Sequence, residues 1–173
     1  MENQRVRLSK IMLKNALVEL LETKPINKIT VYELCQSAQI NRSTFYKYYG
    51  EPHDILNEIV NELLEKTAII VKNENNEFSR LETILTFLRD NRETIIRIIA
   101  NVSEQKLIDH IYGVPTLHEN LYSLLRNSEA SIEKEYVKVF YHYGSFAIIR
   151  VWLNNGCVES PQEMTQIISS IKS

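Results

Sequence analysis

Between residues 8 and 22 the apolar positions fall at Leu13, Ala16, Leu17, Leu20 and Leu21, the spacing of one helical face, with Lys10, Lys14 and Glu19 on the other. Pro25 closes that element. Thr30 followed by Glu33 has the form of a capping box, and behind it Val31, Leu34, Cys35 and Ala38 recur at i, i+3, i+4 and i+7. A short second helix follows, with Cys35 on its apolar side. Asn41 is a suitable N-cap for a third helix from Arg42 to Tyr49. Two short helices with a break of three residues spell a helix-turn-helix. Gln39 stands where such turns often use glycine, and a left-handed backbone there carries a strain of about 1 to 2 kcal/mol.

A fourth helix starts near Pro52, with the proline in its first turn and Asp54 facing the positive end of the dipole. It continues through Ile55, Leu56, Ile59, Val60, Leu63 and Leu64. The polar run NENNEFS, residues 73 to 79, predicts a linker. Helices are expected near 80 to 89, 91 to 101, 103 to 112 and 117 to 127, the last two separated by Gly113 and Pro115. A long helix over 131 to 155 stops at Asn155 and Gly156, and Ser160, Pro161 and Glu163 open a final one through Met164, Ile167, Ile168 and Ile171. No strand alternation or repeat occurs. The expectation is an all-α chain of about nine helices, with a head over 1–50 and a helical body over 51–173.

Charge sharpens that division. Up to Gly50 the chain holds eight lysines and arginines against four acidic residues, a balance of +4; beyond it twelve face eighteen, a balance of −6. A basic head suits a polyanion, whereas an acidic body argues against coating nucleic acid along the whole surface. Cys35 and Cys157 are far apart and show no zinc-ligand spacing, so a reducing cytoplasm and no metal are expected. The opening residues include no apolar stretch of signal-peptide type. Tyr136 to Leu153 is rich in apolar residues but includes Lys138, His142 and Arg150, each costing about 2.5 to 3.5 kcal/mol at mid-bilayer, which favours a buried helix over a membrane span.

The densest chemistry is NRSTFYKYYGEPHD, from Asn41 to Asp54, with four aromatic rings in the five residues 45 to 49, Arg42 ahead of them and Lys47 among them. On a helix from Arg42 to Tyr49, Phe45 and Tyr49 share one face, while Arg42, Ser43, Tyr46 and Lys47 point largely elsewhere. Phe45 and Tyr49 would then lock the helix to the first two, Tyr46 and Tyr48 would offer hydroxyls to phosphate, and Arg42, Ser43, Thr44 and Lys47 would face a groove. The helix N-terminus adds amide donors for a phosphate. Taken alone, the rings fit a small helical core with solvated charges equally well.

The stretch ITVYELCQSAQINRSTFYKYYGEPHDIL resembles the DNA-binding domain of the TetR family of bacterial transcriptional regulators, through Thr44, Phe45, Tyr46 and Tyr49 of its signature. The likeness covers roughly residues 7 to 60, and FYHYGSFAIIRVWLNNGCVESPQEM is similar to the C-terminal segments of Firmicutes-type members. The resemblance implies that Arg42, Ser43 and Lys47 approach base edges, that Thr44, Tyr46 and Tyr48 hold phosphates or bases, and that Tyr32 touches the DNA backbone. Many relatives carry a lysine at the start of the fourth helix; here Pro52 takes that place, with His53 or the helix amides as its substitute. Arg5 and Arg7 either reach a minor groove or form a solvated tail.

The long helix is apolar on more than one face. A four-helix interface with a second copy is expected from Phe140, Gly144, Ile148 and Trp152 together with Met164 and Ile168; a central core helix within one subunit is the other reading. Phe87, Tyr112 and Tyr122 are candidate lining for a small-molecule effector. Asp109, His110 and His118 lack metal-ligand spacing, and no glycine-rich phosphate loop or nucleophile elbow occurs, so no enzyme and no cofactor is expected. The function expected is a homodimeric DNA-binding regulator, more often a repressor, reading a palindrome. The alternative is a helical module whose body binds a partner protein.

Overall fold

Helix boundaries follow from caps that the sequence supplies, and the computed structural model, which describes residues 4–72, 74, 76–112 and 133–170, places them as follows. The elements are α1 (Gln4–Leu20), a 3-10 turn η1 (Ile26–Lys28), α2 (Val31–Ser37), α3 (Arg42–Phe45), α4 (Pro52–Val71), α5 (Glu77–Asp90), α6 (Arg92–Ile99), α7 (Glu104–Tyr112), α8 (Glu133–Asn154) and α9 (Pro161–Ser170). Every regular element among the described residues is therefore helical. The expected helix over 117 to 127 lies outside them.

Two units result. The head comprises Met1–Leu63 and Arg97–Ser103, and the body Leu64–Ile96 and Glu104–Ser173. The head core is built from Leu13, Ala16 and Leu17 of α1, Leu34 and Cys35 of α2, Phe45 and Tyr49, and Ile55, Leu56, Ile59 and Val60 of α4, all buried. Full burial of a leucine, isoleucine or phenylalanine stabilises the fold by about 1.5 to 3 kcal/mol each. α2 begins with the capping box: the Thr30 hydroxyl accepts from the Glu33 amide at 3.2 Å, and a Glu33 carboxylate oxygen accepts from the Thr30 amide at 3.0 Å. It ends in a Schellman motif, the Ile40 amide donating to the Cys35 carbonyl at 2.9 Å and the Gln39 amide to the Gln36 carbonyl at 3.2 Å. That motif requires a left-handed residue, and Gln39 supplies it at φ +54°.

Residues 97 to 103 belong to the head through polar ties. The Asn101 side chain accepts from the Ile26 amide and donates to the Arg97 carbonyl, both at 2.8 Å, and Arg97 pairs with Glu22 at 3.2 Å. Lys14 bridges Glu58 at 2.8 Å and Glu62 at 2.5 Å, and Lys10 approaches Glu58 at 3.4 Å, which joins α1 to α4. Burial acts to lower the Lys14 pKa, yet its two carboxylate partners raise it overall.

In the body α9 packs on α5. Of the expected linker over 73 to 79, residues 77 to 79 open α5 and Asn76 is its N-cap, its side chain accepting from the Ser79 amide at 2.8 Å. α8 stops as expected, with Gly156 at φ +88° and Cys157 at +54°, and amides of both bonded back to Leu153 and Trp152 carbonyls. Arg92 reaches the same end, donating to the carbonyls of Leu153 at 2.5 Å and Asn154 at 3.4 Å. The Trp152 indole donates to the Glu159 carbonyl at 3.0 Å. The Ser160–Glu163 capping box opens α9, with Pro161 at its first position. No helix among the described residues is long and apolar enough to cross a membrane.

Candidate nucleic-acid interface

α3 is only four residues long, shorter than the expected run to Tyr49, and its chain continues as successive turns: Tyr46 bonds to Arg42, Lys47 to Thr44, and Tyr48 and Tyr49 both to Phe45. The turns preserve the sidedness that a longer helix would give. Phe45 is fully buried and Tyr49 nearly so, while Tyr46 is 54% exposed. The Phe45 ring meets Tyr46 edge-on at 5.3 Å and 86°, and Tyr49 at 5.9 Å and 44°. Lys10 places its ammonium 5.9 Å from the Tyr49 ring centroid, adding a cation–π contact.

Arg42, Ser43 and Lys47 are exposed beside Tyr46, and Thr44 and Tyr48 are half-buried behind them. Tyr32 is exposed on α2. These side chains form a surface of one arginine, one lysine and several hydroxyls, the donor set that phosphates and base edges accept. The scaffold beneath is braced by charge. Hydrogen bonds to the Glu33 carboxylate from Lys24, at 2.6 Å, and from Thr30 hold its pKa at about 2. Burial pushes the Glu58 carboxyl up, but hydrogen bonds from Lys14 and Tyr49 and the charges of Lys14 and Lys10 outweigh it and hold the pKa below the usual range. Cys35 is buried, and burial raises its thiol pKa, so it serves as core.

One Asp54 carboxylate oxygen accepts from the Gly50 amide at 2.7 Å and the Glu51 amide at 3.0 Å, so those donors are committed inside the chain. His53 is half-buried next to them.

Asn41 has the extended backbone of an N-cap, but its side chain makes no capping hydrogen bond. Sequence alone does not reveal that, because residue type reports cap preference and not rotamer.

The candidate partner surface is split. Phe140 is 63% exposed, Gly144 has open space where a side chain would begin, and Ile148 is half-buried. Trp152, at 2% exposure, and Met164 and Ile168 are instead buried within the single chain. Among the described side chains, the large apolar ones exposed on α8 are Tyr136, Val139, Phe140 and Val151, with Ile167 on α9. Of the candidate effector lining, Phe87 is half-buried on α5; the Tyr112 side chain and Tyr122 lie outside the described residues.

Comparison with known proteins lands on the same class. Residues 75–172 match the TetR_C_8 family, a transcriptional regulator C-terminal region. The chain is 22% identical over 166 residues to the uncharacterized HTH-type transcriptional regulator YxbF of Bacillus subtilis (strain 168), covering 89% of this chain and 42% of that protein. This chain thus spans less than half the length of that relative. The TetR transcriptional regulator of Streptococcus agalactiae 2603V superposes with a TM-score of 0.81 at 19% identity, over 98% of this chain and 96% of that one. The fatty acid degradation regulator FadR of Bacillus halodurans does so with a TM-score of 0.63 at 11% identity, over 93% and 96%. At such identities the structural likeness is one of fold.

Proposed function

Because the chain belongs to the TetR family of transcriptional regulators, we propose that it binds a two-fold symmetric DNA site as a homodimer and represses transcription until an effector releases it. The observation that carries this reading is the exposed set Arg42, Ser43, Tyr46 and Lys47, presented on a turn whose Phe45 and Tyr49 are anchored in the core. Arg42, Ser43 and Lys47 reach base edges, Thr44, Tyr46 and Tyr48 hold phosphates or bases, and Tyr32 holds the backbone from α2. His53 stands beside the position where a phosphate-clamping lysine is replaced by Pro52.

Two heads must enter successive major-groove turns together, about 34 to 36 Å apart, for a palindrome to be read. The exposed α8 face around Phe140, Gly144 and Ile148 is the surface assigned to the second copy. The effector acts by binding the body more tightly in a state whose heads are wrongly spaced; equal affinity for both states would shift nothing. Phe87 is the described residue assigned to its site. The protein acts by binding and not by catalysis.

Selection from a random duplex pool tests this reading. Enrichment of a two-fold symmetric site is expected, with log K falling by about 0.9 per neutralised phosphate as log salt rises. A pool that stays unenriched at low ionic strength, or an enriched site without symmetry, overturns it.

A further inference from the structure

Beyond Phe45 the chain is a series of turns, so the direction in which Tyr46 and Lys47 leave it is set by the rings at its two ends, Phe45 and Tyr49. Phe45 is fixed by complete burial. Tyr49 packs on Phe45 at 5.9 Å between ring centroids, and the Lys10 ammonium lies 5.9 Å from the Tyr49 centroid. Lys10 belongs to α1, and Glu58 of α4 holds it there. The Glu58 carboxylate lies 3.4 Å from Lys10 and 2.8 Å from Lys14, and it also takes a hydrogen bond from the Tyr49 hydroxyl. A charged chain thus runs from α4 through α1 to the far anchor of the turn.

The Lys10 and Glu58 side chains are 27% and 29% exposed, and an ion pair so accessible to water adds little to stability. What it supplies is position, because a cation held over a ring fixes how the ring lies. It also withdraws charge from the surface. Of the eight lysines and arginines up to Gly50, Lys10, Lys14 and Lys24 stand against Glu58, Glu62 and Glu33. A head built for nonspecific attraction would leave those cations to a polyanion. We infer that Lys10 and Glu58 are positioning residues for DNA recognition: Glu58 seats the Lys10 ammonium on the Tyr49 ring, which fixes the turn presenting Tyr46 and Lys47, and neither residue touches nucleic acid. The inference rests on the DNA-binding reading above and adds to it two residues outside the interface.

Lys10→Met and Glu58→Gln, made in the full chain and titrated at several salt concentrations with a labelled duplex from the selection and with one of unrelated sequence, test it. Both variants should stay folded at the assay temperature by circular dichroism. Lys10→Met is expected to bind the selected duplex about two- to fivefold more weakly, the scale of one exposed cation–π contact. It should bind the unrelated duplex as tightly as before, with the slope of log K against log salt unchanged. Glu58→Gln keeps the Lys10 charge and removes what holds it, and should narrow the preference for the selected duplex by the same factor. A lysine that met a phosphate would, once replaced, weaken both duplexes alike and reduce the slope by about one, and that result overturns the inference. An undiminished preference in either variant overturns it too, as does loss of the fold in either. Failure of the unaltered protein to bind any duplex defeats the DNA-binding reading itself, an outcome distinct from all of these.

Discussion

Phe45→Ala and Tyr46→Ala set two adjacent rings with opposite surroundings against each other. Phe45 is fully buried, and truncating a buried phenylalanine to alanine costs about 3 to 5 kcal/mol through lost transfer energy and the cavity left behind. Domain stability is of the order of 5 to 15 kcal/mol, so this one change removes a large share of it. In a chain of this size each kcal/mol moves the unfolding midpoint by about 2 to 4 °C, which gives a fall of roughly 6 to 20 °C. Tyr46 is half exposed, and its edge contact with Phe45 is worth about 0.5 to 1.5 kcal/mol. Its loss should lower the midpoint by no more than about 6 °C. Urea unfolding followed by far-UV circular dichroism measures stability, and fluorescence anisotropy of a labelled duplex, below both transitions, measures binding. Phe45→Ala should lose stability first; Tyr46→Ala should lose affinity while still folded, and similarly on all duplexes. Equal stability losses in the two variants would refute the assignment of one ring to the core and the other to the interface.

Arg42→Ala should relax the choice among duplexes, at a cost of about 1 to 3 kcal/mol on the preferred site if the contact is bidentate; binding to single-substitution duplexes checks it, and unchanged discrimination counts against the role. Glu33 has a folded pKa depressed to about 2 from 4.5, so its contribution is fully present above about pH 4.5 and is lost as pH falls toward 2. Glu33→Gln should flatten that part of the stability profile, measured by urea unfolding at several pH values, and an unchanged profile would contradict the depressed pKa. Phe140→Glu, on the exposed face of α8, should yield monomers by sedimentation that bind a two-fold site poorly; an intact dimer would reject that face as the interface.

Features governed by local chemistry were legible in the residues. The boxes at Thr30–Glu33 and Ser160–Glu163 are hydrogen bonds between residues three apart, and the left-handed Gln39 follows from where α2 must stop. The inward turn of Phe45 and Tyr49 was readable too, because the turns after α3 keep helical sidedness even where the helix itself ends early. Long-range choices were not. An apolar α8 with several greasy faces does not say which face the chain will cover itself, so Trp152, Met164 and Ile168 read as partner contacts although they are core. The membership of 97 to 103 in the head depends on Asn101 meeting Ile26, seventy-five positions away, which no local pattern announces.

The indole of Trp152, pinned to the Glu159 carbonyl, is the only one in the chain, and it belongs to the body. Light absorbed selectively by indole therefore interrogates the body while the head, whose fluorophores are tyrosines, stays dark. If the head takes up a duplex as proposed, a change in that emission on adding it is the expected sign that the body responds, and a silent indole would leave the body a bystander.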